Sequence, residues 1–227
     1  MPILPALEKH FSVYAVDRRG YGASGDGVSY VVEREFEDIA AVVDSIGEPA
    51  NLLGHSFGAL CALEGALLTQ NLHKLVLYEP AIPIPGVPLY PEGIINRFQA
   101  LLDAEDREGI LTALFREVAG MPPHEFEHFR SLPAWQARLE SAHNIPRESR
   151  AEEGYEFKAE RFKALHTPTL LLLGGDSPQI LKTATETIAK ALPNSRIAVM
   201  PGQQHIAMDT APDLFVNELV QFLLKPL

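Results

Sequence analysis

The chain has 227 residues, 46% of them hydrophobic, and 19 Lys+Arg against 30 Asp+Glu for a formal charge of −11, the composition of a soluble globular protein with one sizeable core. The acidic balance argues against nucleic acid as a partner, because such binding needs clustered Lys and Arg to neutralise phosphates. A lone cysteine, Cys61, excludes an intramolecular disulfide and a cysteine-held metal centre, and no run of about 18 apolar residues offers a membrane span, so a reducing cytoplasmic setting is expected.

Short apolar runs alternate with longer segments of helical period, which predicts an α/β fold: a mostly parallel sheet with helices on both faces. In chain order, Phe11 to Val16 reads as the first strand, and Phe36, Ile39, Ala40 and Val43 give the inner stripe of a helix stopped by Gly47 and Pro49. Asn51 to Leu53 reads as a strand, Gly58 to Leu68 as a buried helix, and Lys74 to Tyr78 as a strand. Pro83, Pro85, Pro88 and Pro91 then open a stretch of short helical patterns broken by Gly120, Pro122, Pro133 and Pro146. Residues 81–164 are therefore expected to form a helical cap inserted between core segments 1–80 and 165–227. Within the cap, Glu148, Glu152 and Glu153 read as a solvated surface segment. Thr169 to Leu173 returns to the sheet, followed by a helix with Ser177 as cap and Pro178 as first residue. Arg196 to Met200 is the last strand, and a helix from Thr210 and Pro212 carries Val216, Leu219, Val220 and Leu223.

Between the Asn51 strand and the Gly58 helix stands Gly54-His55-Ser56-Phe57-Gly58. A serine on a sharp strand-to-helix turn presents its hydroxyl at the helix N-terminus, with flanking glycines relieving the crowded turn. There the Phe57 amide faces the place where an oxyanion would form, favoured by the helix dipole. A serine hydroxyl needs a base, and the base needs a carboxylate to fix its tautomer. Asp176 lies just past the Thr169 strand and His205 just past the Arg196 strand, at the strand ends where ligands gather. The order Ser56, Asp176, His205 is a serine, acid, histidine order. Glu79, ending the Lys74 strand, is the alternative acid. His55 is read as packing or polar support, and Cys61 as a small buried side chain.

These residues resemble the α/β-hydrolase superfamily, in its small cap-bearing form. Asp17 to Ser24 resembles its D-x-R-G-x-G-x-S loop, Gly54 to Gly58 its nucleophile elbow, Pro168 to Asp176 its acid-bearing strand end, and Gln204-His205 its histidine loop. The family pattern places a strand and a His-Gly loop, source of the second oxyanion amide, ahead of the D-x-R-G strand. No His-Gly dipeptide occurs here, so the chain reads as N-terminally truncated relative to that pattern. The Phe11 strand is then expected either to pair directly with the Asn51 strand or to leave two buried edges without partners.

The resemblance implies a cofactor-independent hydrolase of a small ester or lactone, with Ser56 attacking, His205 shuttling the proton, Asp176 orienting His205 and Phe57 supporting the oxyanion. The same residues would serve carbon–carbon hydrolysis, acyl transfer or perhydrolysis, and a ligand-binding member without turnover is the rival reading. His124-Glu125-Phe126-Glu127-His128 matches H-E-x-x-H literally but has no convincing third ligand beyond the remote Glu140, so no metal is expected. Arg18, Arg19 and Gly20 could hold an anion, but the resemblance implies that this loop shapes the turn beside the sheet. A small-molecule substrate is the one partner implied.

Overall fold

The computed structural model describes residues 2–226. Its sheet has four parallel strands in the order β1 (Ala50–His55), β2 (Leu72–Tyr78), β3 (Thr169–Gly174) and β4 (Ser195–Met200). The register aligns His55 with Tyr78, Tyr78 with Leu172 and Gly174 with Met200, so the four C-terminal ends form one rim.

Alternation along the strands divides the core in two. Leu75, Leu77 and Leu171 face a cluster with Phe36 of α1 (Glu33–Ser45), Leu60 and Leu63 of α2 (Phe57–Gly65), and Ile188. Val76, Tyr78, Leu170 and Leu172 face the other cluster, which includes Phe215 and Leu219 near the C-terminus. Between β2 and β3 run α3 (Ile94–Asp103), α4 (Arg107–Ala113), a π-helical turn at Leu114–Val118, α5 (Pro123–Ser131), α6 (Ala134–Ser141) and α7 (Ile145–Gly154). Phe98, Ile110, Phe129 and Trp135 of this insertion belong to the same apolar cluster as Tyr78, so the insertion shares the core of the sheet. After β3 come α8 (Gln179–Ala191) and, after β4, α9 (Pro212–Leu223).

Phe11 to Val16 is the one expected strand that does not form. The segment has no ladder partner among the described residues, and Tyr14 and Val16 are 66% and 47% exposed. Neither expected outcome holds: the segment does not pair with β1, and the free edge of β1 is not buried, since Asn51 and Leu53 are exposed. A strand is held by inter-strand hydrogen bonds, so apolar alternation without a neighbour leaves the segment outside the sheet.

The acidic run of α7 also departs from expectation. Glu148 and Glu152, one turn apart, are buried, and only Glu153 is exposed. Arg18 bonds Glu148 and Glu35 at 2.9 Å each, the Tyr21 hydroxyl donates to Glu148 at 2.9 Å, and the Tyr90 hydroxyl donates to Glu152. Asn144 donates to the Gly20 carbonyl and Arg147 pairs with Asp26 at 2.5 Å. The loop of residues 17–27 is thus the dock for α7, with Arg18 as its central cation. Burial alone would lower the Arg18 pKa, but Glu148, Tyr21 and Glu35 outweigh it and hold the charge firmly.

Glu152 is different. Burial raises its pKa from the ordinary 4.5 to about 8 against the Tyr90 hydrogen bond. The folded state then keeps a proton that the unfolded chain releases. This contribution to stability is full below pH 4.5 and is lost as pH rises through about 8, by up to about 1.4 kcal/mol per pH unit. Glu152→Gln should therefore flatten the fall of Tm across that window and melt above the parent at its upper end. An unchanged slope would assign the titration to another group.

Candidate active site

Ser56 closes β1 and caps α2 with φ 55° and ψ −123°, which turns its side chain up from the rim. Gly54 makes the turn possible: a Cβ there would lie 2.4 Å from the Gly58 carbonyl and 2.7 Å from the Ala59 Cα. Gly58 meets no such crowding, so the sterics select the first glycine of the motif. The Ala59 and Leu60 amides donate to the Ser56 carbonyl, and the Phe57 amide has no protein acceptor among the described residues. It is left free at the N-terminus of a nine-residue helix, where partial positive charge favours an anion.

His205, beyond β4, brings its Nε2 to 2.9 Å from the Ser56 Oγ and its Nδ1 to 2.6 Å from the Glu79 Oε2. Glu79 follows β2 directly, is fully buried and has φ 45°, which swings the carboxylate back under the rim. Its other oxygen accepts from the Gly174 amide at 2.7 Å and the Ser177 hydroxyl at 2.5 Å. Every contact of this carboxylate therefore orients it toward the imidazole.

Asp176, the expected acid, does not reach His205. Its side chain is exposed, and its backbone amide donates to the Gln203 carbonyl at 2.9 Å. The reason lies in the close crossing at Gly174, where a Cβ would meet the Gln203 carbonyl at 2.5 Å and the Gln204 Cα at 2.8 Å. That crossing turns the chain so that Ser177, not Asp176, points into the rim. Ser177 accordingly supports Glu79, and Pro178 takes the N-cap of α8 that was expected of the serine. The sequence signal for Glu79 is positional: it ends the strand adjacent to the one bearing Ser56.

Phe57 is buried under Arg18, whose guanidinium lies 4.9 Å from its ring centroid. The loop cation thus packs behind the elbow, consistent with a shaping role. Cys61 is fully buried. His124 and His128 are exposed on α5, and no group of three His, Cys, Asp or Glu among the described residues could hold a metal. Beside His205, Phe115, Met121, Glu125, Gln204 and Ile206 line a cleft of about 10 Å³, room for about one water. A larger cavity of about 630 Å³, between loop 16–27 and α1, includes neither Ser56 nor His205.

A strand, sharp serine turn and helix on a parallel sheet, with a histidine loop after the last strand, are the parts of one family's pattern, and the model of the alpha/beta hydrolase family matches residues 1–218. The chain belongs to the alpha/beta hydrolase family. Among solved structures, an alpha/beta hydrolase from Sphaerobacter thermophilus is 33% identical, with a TM-score of 0.83 over 98% of this chain and 86% of that one. The Agrobacterium fabrum protein named "Putative carbamate hydrolase RutD" is 25% identical over 99% of this chain and 87% of its own length. The 2-(acetamidomethylene)succinate hydrolase of Mesorhizobium japonicum is 21% identical over 98% and 82%. This alpha/beta hydrolase is accordingly an enzyme with hydrolase activity. No helix among its described residues is long and apolar enough to cross a membrane.

Proposed function

We propose that this enzyme cleaves a small ester or lactone through an acyl-enzyme formed on Ser56. The observation that carries the proposal is the hydrogen-bonded series Ser56 Oγ, His205 Nε2, His205 Nδ1, Glu79 Oε2, at 2.9 and 2.6 Å. His205 takes the Ser56 proton as Oγ attacks the carbonyl carbon, and Glu79 steadies the imidazolium. The Phe57 amide supports the oxyanion. The imidazolium then returns the proton to the leaving oxygen, and the sequence repeats with water to release the acid. A serine triad needs no metal or organic cofactor, and the partner is the small substrate alone. The lone, buried Cys61 supports a reducing, cytoplasmic setting.

A carbamate or enamide carbonyl is the second reading, favoured by the two relatives named for hydrolysis of such groups. The attack is the same and only the leaving atom changes to nitrogen. A fluorophosphonate should label the enzyme stoichiometrically, with the adduct mapping to the peptide containing Ser56. Aryl esters of graded acyl length beside the matching carbamates would then rank the two readings. Label on another residue, or hydrolysis without labelling, would overturn the proposal.

A further inference from the structure

We propose that His55 and Tyr78 are positioning residues for His205, holding the backbone of the histidine loop so that its imidazole stays in line with Ser56. The proposal rests on the Ser56–His205 reading given above.

Three consecutive pieces of the loop are tied by these two side chains. The His205 carbonyl lies 2.7 Å from His55 Nε2. The Tyr78 hydroxyl donates to the Gln204 carbonyl and accepts from the Ala207 amide at 3.0 Å. Loop backbone on either side of the catalytic imidazole is thereby fixed to the ends of β1 and β2, the strands that carry Ser56 and Glu79. Those ends are themselves joined, since the Ser56 amide donates to the Tyr78 carbonyl at 2.9 Å. The nucleophile, the acid and the histidine loop consequently move as one unit.

Each tie has a chemical requirement. A carbonyl acceptor demands a proton on His55 Nε2, which fixes that tautomer and leaves Nδ1 bare. The His55 ring stands 4.5 Å from His205 and 4.9 Å from Tyr78 between ring centroids. A charge on His55 would oppose the imidazolium that forms on His205. Burial, the neighbouring His205 and the charge of Arg138 together push its pKa well below the usual imidazole range. His55 is therefore a neutral donor. Tyr78 is fully buried, and burial beside Glu79 pushes its pKa up, so it too stays neutral and can donate and accept at once.

The test compares His55→Leu, His55→Gln and Tyr78→Phe with the parent and with Ser56→Ala, using one aryl ester well below each variant's Tm. Glutamine places an N–H near the position of Nε2 without a titratable ring. His55→Leu and Tyr78→Phe should lower kcat by roughly 10²-fold, the scale of a 1 Å misplacement, with KM little changed. The fluorophosphonate labelling rate should fall in proportion, and His55→Gln should recover most of the loss. The acid limb of the kcat/KM profile should stay in place in His55→Gln, since a neutral His55 contributes no titration of its own. Parent-like kcat in His55→Leu and Tyr78→Phe, or equal losses in the leucine and glutamine variants, would overturn the proposal. Turnover retained by Ser56→Ala would instead overturn the reading beneath it.

Discussion

Ser56→Ala should reduce ester turnover by about 10⁶-fold, the scale of losing the nucleophile in a serine protease, and should remove fluorophosphonate labelling altogether. Among the described residues the Oγ bonds His205 alone, and the turn itself is held by Gly54 and by the amides of Ala59 and Leu60 on the Ser56 carbonyl. Melting should hence change little. Burst kinetics and thermal unfolding on the same preparation would check both halves of the statement. Substantial turnover by the folded variant would remove Ser56 from the chemistry.

The second large effect separates two carboxylates. Glu79→Gln should lower kcat by about 10⁴-fold, the scale of an acid-to-amide change in a serine triad. Gly174 and Ser177 both donate to one oxygen of the Glu79 carboxylate. They would select the carbonyl of a glutamine and leave its NH₂ facing His205 Nδ1. The imidazole must then carry its proton on Nε2, where it donates to Ser56 instead of accepting from it. Asp176→Asn alters an exposed side chain and should change kcat by less than about threefold, as surface substitutions do. Steady-state kinetics on the pair decide between them. A larger loss in Asp176→Asn would restore Asp176 as the acid.

The unequal legibility of these residues has a physical cause. Strands β1 to β4 could be read as short apolar runs, helices α1, α8 and α9 from apolar stripes that record which face meets the sheet, and α2 from its nearly continuous small and apolar residues. Ser56 and His205 could be read because a turn between a strand and a helix leaves a local trace in glycine spacing and in position after a strand. The carboxylate that meets His205 leaves no such trace. Asp176 and Glu79 both stand past strand ends, and only the crossing at Gly174, which brings the chain against Gln203 and Gln204, turns one away and leaves the other in place. Buried Glu148 and Glu152 were hidden for a related reason: charge in a sequence signals solvent unless a partner is known, and Arg18 lies 130 residues from Glu148. Phe11 to Val16 shows the converse, because alternation describes a face and says nothing of a hydrogen-bonded neighbour.

Ser56 and Glu79 share one property: each is a residue with a Cβ held at positive φ, 55° and 45°. Such conformations cost of order 1–3 kcal/mol apiece and persist only where the surroundings over-determine them, against a typical domain stability of about 5–15 kcal/mol. The proposed nucleophile and acid thus sit at two of the points where the fold is least content with its own backbone. Selection for stability alone would press toward glycine at both positions and erase the proposed chemistry, so on that reading stability and function pull this sequence in opposite directions at the rim of its sheet.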